Sequence, residues 1–274
     1  MSFFVSLQKI LPQHGLSRVT GWAAQQRQQW ISRPFIHTFA KAYDVNMDEA
    51  LESDLDAYDS FNAFFTRPLR EGARPLPEDP LAIACPADGA ISELGTIEQG
   101  RLLQAKGMRY SLEALAGRLG KGLDGGQFCT VYLAPSDYHR VHMPLAGTLT
   151  DSLAMPGALF SVNTVTTEGV EGLFCRNERL VCRFETAAGP MLVVLVGAMI
   201  VASIETVFDS PPSPYRIERH SKHEQVFERG DELGRFLLGS TAIVCLPPGA
   251  GHWDTTCIPG TTVRMGQAIG TLTG

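Results

Sequence analysis

From about residue 80 to its end the chain is written in short apolar and β-branched runs, each broken by Gly or Pro within a few positions. "LAIACPADGAISELG", "QFCTVYLAP", "GTLTDSLAMPG" and "RLVCRFETAAGPMLVVLVG" show the pattern best. Such runs are spaced as strands joined by turns, which restricts the region to a mainly antiparallel β core, a sandwich or a barrel. "SLEALAGRL" is its one clear helical interruption. The polar, Pro-rich "PPSPYRIERHSKHE" (211–224) reads as a mobile loop.

The first third has a different texture. "LSRVTGWAAQQRQQWI" (16–31) sets Leu16, Val19, Ala23 and Trp30 near one helical face, with arginines and glutamines on others. Ser32 and Pro34 open a second helix through "FIHTFAKAY", and "NMDEALESD" and "SFNAFFTR" read as shorter helical pieces. The expected class is therefore α+β. A helical region over 1–78, built of amphipathic helices, precedes a β-rich domain over 79–274.

Charge divides the chain in the same way. Residues 1–43 contain Lys9, Arg18, Arg27, Arg33 and Lys41 and no Asp or Glu, a net +5. The whole chain has 23 basic and 29 acidic residues, so the remainder carries 18 against 29, or −11. An acidic body speaks against nucleic acid as a partner. A basic arm interleaved with Phe3, Phe4, Trp22, Trp30 and Phe35 fits an anionic membrane surface, apolar face down and cations toward lipid phosphates. An ordinary solvated face or an organelle transit peptide would share some of these features. The longest apolar stretch, "PMLVVLVGAMIVASI" (190–204), is shorter than a bilayer span and reads as two consecutive buried strands. Cys85, Cys129, Cys175, Cys182, Cys245 and Cys257 form no CxxC pair and read as buried free thiols; no metal-ligand spacing is visible.

Three stretches carry groups capable of chemistry: Asp88 in "PADGAI", His139 and His142 in "SDYHRVHMP", and Ser240 in "FLLGSTAIV". The last is an apolar strand pattern broken in its middle by Gly239, directly before a hydroxyl. Singly, each has a plain explanation: Asp-Gly is turn chemistry, and a lone His is most often core or surface. Together they are a carboxylate, an imidazole and a hydroxyl, the parts of a nucleophile–base–orienter set. On residues alone a serine hydrolase and coincidence stay open. No G-x-S-x-G surrounds Ser240.

Ordered motifs run through nearly the whole chain: "FFTR" followed by "ARPLP", then "PADG", "DYHRVHMP", "LFSVN", "RNER", "VGAMIVASIE" and "GRFLLGST". In this order they resemble the phosphatidylserine decarboxylase proenzymes of the bacterial and mitochondrial type. The resemblance implies a carboxy-lyase that turns phosphatidylserine into phosphatidylethanolamine at the cytoplasmic side of the cell membrane, as a peripheral protein and a homodimer. It implies self-cleavage between Gly239 and Ser240 into a β chain (1–239) and an α chain (240–274). It implies further that Ser240 attacks the Gly239 carbonyl, with His142 as the base and Asp88 orienting and charge-stabilising it. Elimination and hydrolysis are then implied to turn Ser240 into a covalent pyruvoyl cofactor, the group that would form a Schiff base with the substrate amine. His139 is implied at the substrate, binding its carboxylate or managing the proton that replaces it. A glycine before the serine suits this chemistry, because it tolerates unusual dihedral angles and leaves its carbonyl open to attack.

A pyruvoyl decarboxylase of a soluble amino acid is the alternative within this chemistry, and the basic arm speaks against it. A carrier is the third, since "VRMGQAIGTLTG" (263–274) resembles the hairpins of lipoyl-type barrels. No lysine follows Lys222, so that echo is read as architecture, a barrel-sandwich-like core.

Overall fold

The structure, a computed structural model, describes residues 20–198, 204–237 and 240–274. Lys9, Arg18, Phe3, Phe4 and Gly239 lie outside the described residues, as does most of "AMIVA". Helix α1 (Gln29–Ala42) and helix α2 (Phe61–Phe65) lead into the strands. These are β1 (Ala82–Ala84), β2 (Gly89–Thr96), β3 (Arg101–Ala105), β4 (Met108–Ser111), β5 (Gln127–Leu133), β6 (Arg140–His142), β7 (Gly147–Met155) and β8 (Arg179–Thr186). They continue with β9 (Gly189–Val196), β10 (Ile204–Thr206), β11 (Arg219–Phe227), β12 (Glu232–Phe236), β13 (Ser240–Leu246), β14 (Gly251–Trp253), β15 (Thr262–Val263) and β16 (Ala268–Leu272).

Eight strands form one antiparallel sheet in the order β11-β7-β8-β9-β13-β5-β2-β15, and β1-β16-β14 and β10-β12-β6 form two smaller sheets. The class is the expected one, but the large sheet ends at β11 and β15 and does not close into a barrel. It is apolar on both faces. Ala242, Val244 and Leu246 of β13 pack into one core, while Ile243 and Cys245 pack into the other. A strand covered twice has no polar face, which is why "TAIVCL" and "MLVVLV" read as continuous apolar runs. All six cysteines are free, five of them buried and Cys175 half-buried.

The helices have a third core of their own. Ala24, Ile36 and Ala40 pack with Phe61, Phe64 and Phe65, and Phe35 stacks on Phe61 with ring centroids 4.1 Å apart. The helical pattern expected over 16–31 is interrupted at residues 25–28, and α1 starts at Gln29, so Pro34 lies inside it rather than opening it. "NMDEALESD" is not helical: Ala50 makes a bridge with Leu69 that anchors the chain before "ARPLP". Nor is 211–224 a free loop. Residues 219–227 pair with β7 as the polar edge of the large sheet. The buried carboxylate of Glu178 clasps the segment before it, accepting from Ser213 Oγ and from Tyr215 N at 2.8 Å. A charged edge strand discourages pairing with other chains, and its polarity hid it among loop residues.

The remaining feature to matter for the site is the break in "FLLGSTAIV". Its first half ends β12 in a small sheet and its second half is β13 at the centre of the large one. The chain thus passes from the small sheet to the large one between Phe236 and Ser240. Across β5 from β13, Gly89 (φ +152°) begins β2 so close to β5 that a Cβ there would lie 2.1 Å from the Tyr132 carbonyl oxygen. Gly89→Ala should therefore cost at least about 2 kcal/mol, read as a lowered urea midpoint in an uncut Ser240→Ala background. An unchanged midpoint would show that β2 can move away from β5.

Candidate active site

Two peptide units at the end of β5 gather the site. Leu133 pairs with Ser240 on one side, and Tyr132 pairs with Ala90 on the other, placing Asp88 and Ser240 at the same end of strands that flank β5. The turn that leaves β5 is fixed by Asp137, whose carboxylate accepts from Ala134 N at 2.6 Å. It carries Tyr138 and His139 into β6. There His142 N donates to Pro86 O at 2.7 Å, locking the histidine strand onto "PADG". Phe236 N donates to His139 O at 3.0 Å, so β12 passes His139 just before the chain reaches Ser240. The sequence-predicted residues therefore converge on one sheet end.

Their side chains are held individually. His142 Nδ1 lies 2.8 Å from Gly230 O and Nε2 lies 3.0 Å from the Tyr138 hydroxyl. A carbonyl only accepts, so Nδ1 carries the proton and Nε2 offers a lone pair, to which Tyr138 donates. Burial pushes the His142 pKa down against the Gly230 bond and the nearby Glu232 and Asp88 charges. It is a neutral ring with its basic nitrogen defined. His139 is completely buried and stacks on Phe65 at 3.9 Å. Burial, reinforced by the Arg67 charge, pushes its pKa down to about 3. The carbonyls of Ala134 and Pro135 are near enough to favour protonation, yet both ring nitrogens lack a hydrogen-bond partner of ordinary geometry. Ser240 is also fully buried, and its Oγ has no partner among the described residues.

Asp88 is held by residues other than the histidines. Arg74 Nε donates to both of its oxygens, at 2.9 and 3.2 Å, its Nη2 donates as well, and Met265 N donates at 2.8 Å. Arg74 also donates to Glu49 at 2.7 Å, and Arg264 donates to the other Glu49 oxygen at 2.7 Å. Burial opposes the Arg74 charge, but the bonds to Asp88 and Glu49 outweigh it and raise its pKa. Among the described residues no hydrogen bond joins Asp88, His142 and Ser240 to one another. A cleft of about 200 Å³ opens beside Asp88, lined in part by Arg67, Arg74, Arg264, Asp137 and Tyr138.

A family model described as phosphatidylserine decarboxylase matches residues 61–271, spanning every element of this site. A second, described only as PSD, matches residues 3–44. The chain belongs to the phosphatidylserine decarboxylase family. It is 53% identical over 276 residues to a protein of Pseudomonas putida (strain GB-1) named phosphatidylserine decarboxylase proenzyme, covering 97% of this chain and 96% of that one. Proteins of the same name from Pseudomonas entomophila (strain L48) and Ectopseudomonas mendocina (strain ymp) are each 54% identical. For the first, 97% of this chain and 96% of the relative are covered; for the second, 97% of both.

Four participants escaped the sequence reading: Arg67, Arg74, Tyr138 and Gly230. "FFTR" and "ARPLP" were visible as family motifs, but nothing in their composition says which group each arginine holds. Tyr138 sits inside "DYHRVHMP" and could have been noted as a hydroxyl between two histidines. Gly230 acts through its carbonyl, which no side-chain pattern reveals.

A depressed histidine pKa has a consequence for stability. Between about pH 6.5 and about 3 the unfolded chain binds a proton at residue 139 that the folded chain refuses, so stability falls as pH falls through that window. The limit is about 1.4 kcal/mol per pH unit for one group. In the uncut Ser240→Ala chain, His139→Gln should flatten the dependence of unfolding free energy on pH between about 6 and 4.5 by up to this amount. Parallel profiles for the two proteins would show that His139 takes up its proton in the folded state.

Proposed function

We propose that this chain is a proenzyme that cuts itself between Gly239 and Ser240 and then decarboxylates phosphatidylserine to phosphatidylethanolamine. The observation that carries the reading is the Ser240 hydroxyl: fully buried, without a partner, and at the crossing between two sheets. A fold with no use for it would place alanine there, since a buried unsatisfied hydroxyl costs about 1–3 kcal/mol.

Self-cleavage follows from the proton chemistry. Ser240 Oγ bonds to the Gly239 carbonyl carbon as its proton passes to the Nε2 side of His142. The peptide C–N bond then breaks, and the same proton goes to the departing nitrogen, leaving an ester. Gly230 O keeps the His142 Nδ1 proton in place, so Nε2 is the nitrogen that acts. The Tyr138 hydroxyl on that nitrogen is either displaced by Ser240 or relays the proton. Asp88, fixed by Arg74 and Met265 N, adds negative charge near the imidazolium. Loss of the Ser240 Cα proton expels the Gly239 carboxylate from Cβ; water then replaces nitrogen, releasing ammonia and leaving a pyruvoyl group at position 240.

The surroundings fit such a group: an unpartnered serine oxygen as its source, and an unpartnered neutral histidine just before β6, whose carbonyl accepts from Phe236 N at the end of β12. Its carbonyl supplies an electron sink that no amino-acid side chain offers. His139, neutral at pH 7, has one donor and one acceptor uncommitted, for the substrate carboxylate or the proton that takes its place. Phe65 on its face excludes water, favouring loss of a carboxylate that is poorly solvated.

Denaturing mass spectrometry tests this directly. Purified protein should give chains of residues 1–239 and 240–274, the second with a blocked N-terminus. Ser240→Ala should stay whole and inactive; active but uncut protein would overturn the proposal. His142→Ala and Asp88→Asn should process slowly. His139→Ala should be cut, yet decarboxylate at least about a hundredfold more slowly.

The same reading includes attachment to an anionic membrane surface through the N-terminal helices. Trp22 and Trp30 are 63% and 79% exposed, and no helix among the described residues is long and apolar enough to cross a bilayer. Arg33, however, turns to Asp56, with its Nε at 3.4 Å, and His37 bonds the same carboxylate at 3.0 Å. The attraction of the arm is therefore less than its five charges suggest, at about 1 kcal/mol for each cation that reaches the lipid. Trp22→Ala with Trp30→Ala should weaken binding to vesicles containing acidic lipid at any salt. Arg27→Glu should weaken it only at low salt. Vesicle binding indifferent to all three changes would assign these helices to packing instead.

A further inference from the structure

The motif "FFTR" does more than set Phe65 on the face of His139. Three of its residues grip the histidine-bearing segment in succession. Phe65 stacks on His139, Thr66 O accepts from Arg140 Nε at 2.9 Å, and Arg67 Nη2 donates to Ser136 O at 3.2 Å. Arg67 is only 3% exposed, with its guanidinium 5.6 Å above the Phe64 ring. Its Nε has no partner, and no carboxylate lies within ion-pair distance of it among the described residues. Burial pushes its pKa down.

This sets Arg67 apart from the other two arginines lining the cleft. Arg74 is paired to Asp88 and Glu49, and Arg264 to Glu49. The nearby Asp137 carboxylate is occupied by Ala134 N. The Asp88 and Asp137 charges reach Arg67 only from beyond ion-pair distance, and a buried guanidinium with an idle N–H and no ion pair is costly unless an anion completes it. We infer that Arg67 binds the phosphodiester of the substrate headgroup in the cleft beside Asp88, an inference that rests on the decarboxylase reading above.

The substrate offers two anions, and the chemistry selects between them. A carboxylate that departs as neutral carbon dioxide loses its charge in the transition state. An ion pair to it would therefore stabilise the ground state most and slow the reaction. A phosphodiester keeps its charge throughout, so gripping it aids binding without opposing the chemical step. Arg67 also lies close enough to His139 to depress its pKa, so the anchor and the reacting end are adjacent.

Steady-state kinetics on mature enzyme in mixed micelles tests the assignment. Arg67→Lys, which keeps the charge and stem but not the planar fork, and Arg67→Met should both be cut at Gly239. Their KM should rise about ten- to a hundredfold with kcat within about threefold, Met more than Lys. Inhibition by the product phosphatidylethanolamine, which keeps the phosphodiester and lacks the carboxylate, should weaken by the same factor. Unchanged product inhibition beside a raised KM would move Arg67 to the carboxylate and overturn the inference, as would an unchanged KM. Should the variants fail to mature, wild-type enzyme decides: glycerophosphoethanolamine should inhibit far better than free serine, and the reverse order overturns the inference. Wild type that is cut but inactive on phosphatidylserine would instead refute the functional reading itself.

Discussion

The end of β5 is the constraint on which the rest of the site depends. Its last two residues are hydrogen-bonded to β13 on one side and β2 on the other, so one rigid strand sets the separation of Ser240 from Asp88. Gly89 lets β2 come that close, and the turn pinned by Asp137 sends the same strand onward as the carrier of both histidines. Groups that are far apart in sequence thus share one mechanical reference. A site built on strand ends in a twice-covered sheet is more precise than one built on loops, because any local shift must disturb two apolar cores.

Around that reference the charges are arranged to be expensive to rearrange. Arg74 sits between Asp88 and Glu49, and Glu49 is shared with Arg264. A buried network of this kind adds little net stability, since desolvation offsets most of the attraction, but removing one member strands the others. Its consequence here is positional: Asp88 cannot turn to a histidine without leaving Arg74. The imidazole is oriented by Gly230 O, while Asp88 acts on it through space.

Much of this was legible in the sequence, and the exceptions have physical reasons. The strand texture after residue 80 and the break between Phe236 and Ser240 both follow from steric and burial rules that act locally. The polar strand over 219–227 was missed because an edge strand outside the core carries no apolar alternation to read. "NMDEALESD" has helical composition, but its bridge to Leu69 is tertiary and overrides propensity. Asp88, His139, His142 and Ser240 could be picked out by residue type and motif. Their partners could not, because Arg74, Gly230 and Tyr138 act through distances that only the folded chain defines.

The unsatisfied polar atoms of the uncut chain show how the site differs from an ordinary core. Both nitrogens of His139, Arg67 Nε and the hydroxyls of Ser240 and Thr241 are buried without hydrogen-bond partners, and the segments that carry them are linked by the Leu133–Ser240 pairing, by Phe236 N to His139 O and by Arg67 Nη2 to Ser136 O. Other orphans, such as Ser32 Oγ and Trp253 Nε1, belong to other parts of the fold. Each such atom costs about 1–3 kcal/mol, and apolar replacement of the same shape would recover most of it. On the proposed chemistry, what would satisfy those of the site is an attacked carbonyl, a departing carboxylate and an incoming anion, so the uncut protein would hold the polar frame of a reaction whose other half is not yet present.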